Sequence, residues 1–252
     1  MWRTRSCGAY SLLEITGLRK SYGGTTALDG LSVSFAAGQM VGIVGRSGAG
    51  KSTLLRCVNR LIEPDSGGIV YGGRDILALR GSALHDWRAE CGMIFQQFHL
   101  VDRLDAVTNV MLGAVRRRRT LPLLFKIFPE ADRRRAMELL ERLDLAAQSG
   151  QMERTLSGGQ QQRVAIARAL MQGVKILLAD EPVASLDPEN ARVVMEALRG
   201  LQREDGVTVL CNLHQLELAR TYCDRVIGLA KGKVIFDGRP AEMTERIYTA
   251  AV

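Results

Sequence analysis

Apolar positions along this chain follow two periods that take turns. Short apolar runs bounded by charge or glycine, the mark of strands, occupy residues 12–16, 31–35, 40–44, 68–71 and 91–95. A helix-like stretch runs over 53–61. Beyond Gln97 the strands stop, and helical periodicity dominates from 108 to 171. Within that stretch Ala136, Leu139, Leu140 and Leu143 recur at i, i+3, i+4 and i+7, one face of a helix. Strands return at 176–179, 207–212, 226–229 and 234–236, separated by a helix over 189–201 whose apolar face is Val194, Ala197, Leu198 and Leu201. The pattern predicts one layered α/β domain over 12–243, with a small antiparallel region at its N-terminal side and a helical subdomain inserted at about 97–171. Residues 1–11 and 244–252 are expected to be tails, and no internal repeat is present.

Composition narrows the class. At 252 residues, 46% apolar and 24% charged, the chain has the balance of a soluble protein with a large core. A bilayer-crossing helix needs ~20 apolar residues; the longest uncharged run, 30–45, holds Gln39 and four glycines. The first ten residues carry two arginines with no apolar segment behind them, so they do not read as a secretory signal. Cys7, Cys57, Cys91, Cys211 and Cys223 form an odd set without C-x-x-C spacing, and are expected as reduced, buried thiols.

The net charge of +7 raises nucleic acid as a partner, but no aromatic-rich sheet or recognition helix supports it, and none is expected. Much of the excess sits in two arginine runs, 116–119 and 133–135. The second opens the amphipathic helix and belongs to its solvated face. The first adjoins the apolar segment 121–129, leaving two readings open: a solvated surface, or attraction to anionic headgroups. His85 and His99 are read as structural or surface residues.

Chemistry begins after the run 40–44, with Gly45-Arg46-Ser47-Gly48-Ala49-Gly50-Lys51-Ser52 and then Thr53. The spacing is G-x-x-x-x-G-K-[ST], set between a strand and a helix as a phosphate-binding loop requires. Its glycines let backbone N–H groups close on phosphate oxygens, and the helix start adds unpaired donors and a positive dipole end. Lys51 reaches the β- and γ-phosphates and Ser52 offers a hydroxyl to Mg2+, so ATP contacts are expected along the whole of 45–53.

Downstream, the apolar run 176–179 ends in Asp180 and Glu181. Alone, such a pair is equally well an exposed strand boundary; the phosphate loop upstream selects the catalytic reading. Asp180 then holds Mg2+, directly or through water, and Glu181 orients and deprotonates the attacking water. Between the two motifs lies Leu156-Ser157-Gly158-Gly159-Gln160. Ser157 suits an N-cap, the glycines leave the next amides bare, and the helix from Gln160 towards Met171 aims its positive end at an anion. It reads as a second phosphate clamp.

With these motifs the chain resembles the nucleotide-binding subunits of ATP-binding-cassette transporters, from about residue 12 to 243. Residues 156–160 match that family's signature without substitution, and Ala184-Ser185-Leu186-Asp187 resembles its D-loop. Gln96 resembles the Q-loop glutamine that senses Mg2+ and water, His214 the switch histidine, and Tyr22 the aromatic stacked on adenine. Leu213 departs from the small hydroxylated residue often found before that histidine. On position alone His214 suits a core or capping role, and Tyr22 a packed strand end.

The resemblance implies a P-loop NTPase (RecA-like) core with an N-terminal antiparallel β region and an inserted α-helical subdomain. It implies ATP and Mg2+ as cofactors, catalysis by Glu181, His214, Gln96 and Lys51, and a metal held by Ser52, Gln96 and Asp180. Because one chain does not readily fold both clamps onto one γ-phosphate, it implies a head-to-tail dimer closed by the signature in trans. It further implies integral-membrane permease subunits, a periplasmic substrate-binding protein reached only through them, and a peripheral place on the cytoplasmic face of the inner plasma membrane. The surface 97–109 is expected to receive a short permease helix as Gln96 swings the helical subdomain.

Stretches 94–104, 181–188, 212–215 and 222–229 look like the ATPases of phosphonate importers, and the apolar 121–128 resembles an extra segment of that subgroup. They do not separate phosphonate from phosphite or phosphate, since cargo never touches the ATPase. Other importers, for phosphate, amino acids or methionine, remain the nearest alternative. A cassette ATPase of DNA repair or translation would need a long coiled-coil insertion or a second cassette, and neither is present; a scaffold subunit would not need Lys51 and Glu181.

Overall fold

In the computed structural model, which describes residues 11–96, 99–117, 128–244 and 248, the chain opens with two 12-residue strands, β1 (Ser11–Tyr22) and β2 (Thr25–Ala36). Both run longer than the apolar pattern predicts. Their pairing register shifts between Ile15 and Leu18 and again around Lys20, and each shift breaks the alternation by which a strand is read. After β3 (Met40–Val44) and α1 (Lys51–Val58), β4 (Ser66–Tyr71) and β5 (Arg74–Asp75) complete a four-stranded antiparallel sheet of order β2-β1-β4-β5.

The rest of the chain builds the second sheet. α2 (Gly81–Glu90) leads into β6 (Cys91–Ile94). The helical insertion follows: α3 (Ala106–Met111), a 3-10 turn (Leu112–Arg117), α4 (Glu130–Arg142) and α5 (Gly158–Gln172). Then β7 (Ile176–Asp180), α6 (Pro188–Asp205), β8 (Thr208–Leu213), α7 (Leu216–Tyr222), β9 (Arg225–Ala230) and β10 (Lys233–Gly238) alternate. The six strands order as β10-β9-β3-β8-β7-β6, parallel except for the β10–β9 hairpin.

Every residue of β3, β7 and β8 is buried, which is why they read as apolar runs interrupted only by Thr208, Asn212 and the terminal Asp180. Their period of two sorts side chains to opposite faces. Met40, Val44, Leu177 and Ala179 join the core shared with α3 to α6. Val41, Ile43, Ile176 and Leu178 join the core shared with the antiparallel sheet and α1. Each buried Leu or Ile contributes about 1.5–3 kcal/mol, so a one-residue slip of a central strand would exchange two cores.

In the helical insertion, Ala136, Leu139, Leu140 and Leu143 are buried and Arg133 to Arg135 exposed, as the amphipathic pattern requires. α2 and α7 carry no readable stripe: α2 buries only Trp87, whose Nε1 donates to the Val58 carbonyl at 2.9 Å, and α7 is seven residues long. Cys57, Cys91, Cys211 and Cys223 are buried free thiols. No described helix is long and apolar enough to cross a membrane. The expected N-terminal tail through residue 10 with Cys7, residues 97–98 of the expected permease-facing surface, arginines 118 and 119, the apolar segment 121–127 and most of the C-terminal tail lie outside the described residues.

Candidate functional site

In an open parallel sheet, ligands gather beyond the carboxyl ends of the strands. Here Val44 pairs with Leu213, and Asp180 with Asn212, so β3, β8 and β7 end side by side. The phosphate loop leaves β3, His214 leaves β8, and Asp180 and Glu181 leave β7, all at one edge.

The loop's shape depends on glycine at two points. A Cβ on Gly45 would lie 2.4 Å from the Leu229 carbonyl oxygen, and one on Gly50, whose φ is +105°, 2.4 Å from the Ala27 carbonyl oxygen. The second contact seats the β1–β2 hairpin against the loop. Ala49 and Gly50 are buried while Arg46, Ser47 and Gly48 are exposed. α1 begins at Lys51, two residues before the predicted start, and no side chain caps it at Gly50, so its first amides point to the loop unclaimed by a cap. Thr53 lies in its first turn.

Lys51 is 4% exposed, and its Nζ donates to the Gly45 carbonyl at 2.6 Å and the Arg46 carbonyl at 3.2 Å. Burial pulls its pKa down, against the attraction of Glu181 and Asp180. Asp180 is 3% exposed. Its Oδ1 accepts from Ser52 Oγ and from Asn212 Nδ2, both at 2.7 Å, and its Oδ2 lies 3.5 Å from Arg56 Nη2.

Glu181 takes a left-handed backbone, φ 54°, rare for a residue with a side chain, and so turns the chain sharply off the strand. Its Oε1 stands 2.6 Å from His214 Nε2. The His214 carbonyl accepts the hydroxyl of Tyr248, which ties the far C-terminal residue to this loop. Gln96 is exposed two residues past β6; because Ile94 pairs with Ala179, it leaves the sheet beside Asp180 and Glu181. Tyr22, 45% exposed, ends β1 with Lys20 Nζ 5.5 Å from its ring centre. Asp65 anchors that corner, accepting from Lys20 Nζ at 2.8 Å and Ser21 N at 2.7 Å.

The signature lies elsewhere, on the helical insertion. Ser157 caps α5, as expected, but the helix starts at Gly158 and the next amides are not all bare. Ser157 Oγ accepts from Gln160 N at 3.3 Å, and Gln160 Oε1 accepts from Ser157 N at 2.8 Å, a reciprocal capping box. Gly159 is needed for packing, since a Cβ there would lie 2.4 Å from Asn190 Oδ1 on α6. Ser185 is exposed, Leu186 half-buried against Gly158, and Asp187 caps α6, accepting from Glu189 N at 3.1 Å and Asn190 N at 3.0 Å. Among the described residues no hydrogen bond joins residues 157–160 to the phosphate loop.

Sequence reasoning missed Asn212, Arg56 and Tyr248. Asn212 alone left a signal: a wholly polar side chain in a buried apolar run, two residues before His214. As to a metal, no group of three or more His, Cys, Asp or Glu among the described residues is arranged to hold an ion by itself. One hydroxyl and one carboxylate within 2.7 Å of each other instead suit a hard cation that shares its shell with phosphate oxygens.

The family model described as ABC transporter matches residues 28–184. A Phosphonates import ATP-binding protein PhnC of Rhizobium johnstonii is 54% identical over 233 residues, covering 92% of this chain and 83% of that one. A second from Rhodopseudomonas palustris is 54% identical over 236 residues, covering 94% and 87%. Among solved structures, a dimeric ATP-binding cassette in a post-hydrolysis state bound to ADP and Pi aligns with a TM-score of 0.78 and 34% identity, over 90% of this chain and 98% of that one. The cbiO1 subunit of a Clostridium perfringens ABC transporter complex aligns with a TM-score of 0.81 and 32% identity, over 92% and 90%.

Proposed function

The chain belongs to the ABC transporter family, and from that membership and its 54% identity to phosphonate import ATP-binding proteins we infer that it is the ATP-hydrolysing subunit of a phosphonate importer, driving separate membrane permease subunits. One observation carries the reading: Ser52, Asp180, Glu181 and His214 meet at one sheet edge in a chain 54% identical, over 92% of its length, to a phosphonate import ATP-binding protein.

The triphosphate lies along residues 45–53, with Tyr22 against the adenine. Lys51 brings its charge to the β- and γ-phosphates, and the phosphates in turn stabilise an ammonium that burial disfavours. Ser52 and Asp180, with Gln96 from the neighbouring strand end, would hold Mg2+, which when bound neutralises charge developing on the phosphates. Glu181 is the general base. With Oε1 committed to His214, its Oε2 is the oxygen left to take the proton of the attacking water, and the imidazole fixes the carboxylate's direction.

Each site closes only with a second copy. The α5 start packs on its own D-loop through Gly158 and Leu186 and on α6 through Gly159 and Asn190, and it grips the γ-phosphate held by the partner, head to tail. Ser185, Leu186 and Asp187 line the same junction. Hydrolysis releases the pair, and Gln96, at the root of the helical insertion, passes the change to the permease at the cytoplasmic face of the membrane. A periplasmic binding protein delivers cargo without touching this chain.

The test is genetic. In a host lacking this gene, the wild-type chain should restore growth on methylphosphonate as sole phosphorus source, and Glu181→Gln should not. Growth restored by Glu181→Gln, or failure of the wild type on methylphosphonate alone, would overturn the assignment.

A further inference from the structure

Asn212 is the only polar side chain on β8 directly opposite Asp180, and it has no exposed surface. Its Nδ2 donates to Asp180 Oδ1 at 2.7 Å, the same oxygen that Ser52 Oγ reaches at 2.7 Å. The orientation of the amide is set by chemistry, because turned over it would bring Oδ1 against a carboxylate oxygen. Its own Oδ1 is buried and accepts no hydrogen bond among the described residues. A buried acceptor left without a donor is destabilising and offsets what the hydrogen bond to Asp180 contributes, so stability of the strand does not by itself account for the amide. On the other side of the carboxylate, Arg56 approaches Oδ2 from an exposed position, 3.5 Å away. Asn212 and Ser52 thus hold one oxygen inward while Arg56 draws the other outward.

We propose that Asn212 is a positioning residue for divalent-cation-dependent ATP binding: it holds the Asp180 carboxylate against Ser52, so that hydroxyl and carboxylate meet the cation together. This rests on the reading of the site given above. Without Asn212 the carboxylate is free to turn towards Arg56, and the two oxygen ligands no longer face one point. The nucleotide's other contacts, on the phosphate loop and Tyr22, are untouched.

The test uses the full chain with ATP and Mn2+. Asn212→Leu, with Asn212→Val as a second, strand-favouring replacement, is compared with wild type by ATP titration in EDTA and in Mn2+, and by electron paramagnetic resonance of Mn2+ bound to the protein–ATP complex. In EDTA the variants should bind ATP within about 2-fold of wild type. The tightening that Mn2+ gives should fall by roughly 10-fold or more, the scale of one hydrogen bond to a charged group, and the Mn2+ spectrum should change. Adding Arg56→Gln should restore part of the Mn2+ effect. A Mn2+ effect kept within 2-fold, or ATP affinity lost equally in EDTA, overturns the proposal. Wild type that binds no ATP under any condition overturns the reading of the site, and this inference with it.

Discussion

Gly158 and Gly159 should fail for different reasons when each is given a methyl group. At Gly159 an added Cβ would lie 2.4 Å from Asn190 Oδ1, 2.8 Å from its Cγ and 3.1 Å from its Cβ. All three atoms belong to one side chain, which is itself held by Nδ2 donating to Asp187 Oδ2 at 2.6 Å. Ordinary contact begins near 3.4 Å, so α5 and α6 must part by about an ångström or Asn190 must abandon Asp187. Overpacking of this kind costs roughly 1–3 kcal/mol, and at roughly 2–4 °C per kcal/mol for a chain of this size the melting temperature should drop by several degrees. At Gly158 the same methyl meets only Leu186 Cδ2, at 3.4 Å, and the backbone is not in the left-handed region. Gly158→Ala should therefore melt within about 2 °C of wild type, or above it, because alanine also restricts the unfolded chain. If Gly158 is bare because the partner's γ-phosphate closes on it, that variant should bind ATP normally yet lose about 10-fold or more in steady-state phosphate release. Scanning fluorimetry, ATP titration and a phosphate-release assay on both variants decide the matter. Gly158→Ala turning over like wild type would refute the shared site at this residue, and Gly159→Ala melting like wild type would refute the steric argument.

Glu181→Gln keeps the shape of the side chain and removes the base: turnover should fall roughly 10²-fold or more, while size-exclusion chromatography in ATP should show a trapped dimer. ATP affinity should not weaken, because a negative charge beside Lys51 is gone; turnover at the wild-type rate would remove Glu181 from its role. Burial pushes the thiols of Cys57, Cys91 and Cys223 up to about 12. At pH 8 their thiolate fraction is then on the order of 10⁻⁴, so mass spectrometry should find them unalkylated by iodoacetamide until denaturant is added, and rapid native labelling would contradict their burial. Asp187 has its pKa lowered, first by the Asn190 side chain donating to it and then by the Asn190 backbone N–H. The sign follows: its cap of α6 is fully present above the ordinary carboxylate pKa and is lost as pH falls through the lowered one. The melting difference between wild type and Asp187→Ala, a few degrees at neutral pH, should accordingly shrink below about pH 4; a difference that persists at pH 2 would place the effect outside the carboxylate.

Local chemistry announces itself locally. The strand before Gly45, the glycine spacing to Lys51 and Ser52, the acids closing β7 and the cap before α5 each sit within a few residues, where backbone geometry and charge are decided by neighbours in the chain. The central strands were equally plain, because burial on both faces demands nearly continuous apolar runs. Elements whose stability comes from outside were not. β1 and β2 hold together across register shifts that spoil their alternation, and α2 is held by Trp87 reaching the Val58 carbonyl and Arg88 reaching those of Asn59 and Arg60.

The order of residues along the chain thus determined which groups could meet a triphosphate, and the family resemblance of the motifs, while the tertiary structure alone decided which side chains share an atom. Ser52, Asn212 and Arg56 converge on Asp180 from α1 and β8, and Gly159 is glycine because a residue 31 positions later occupies its space. Such contacts arise when parallel strands set their ends in register and helices cross, distances that depend on packing and leave no period in the sequence.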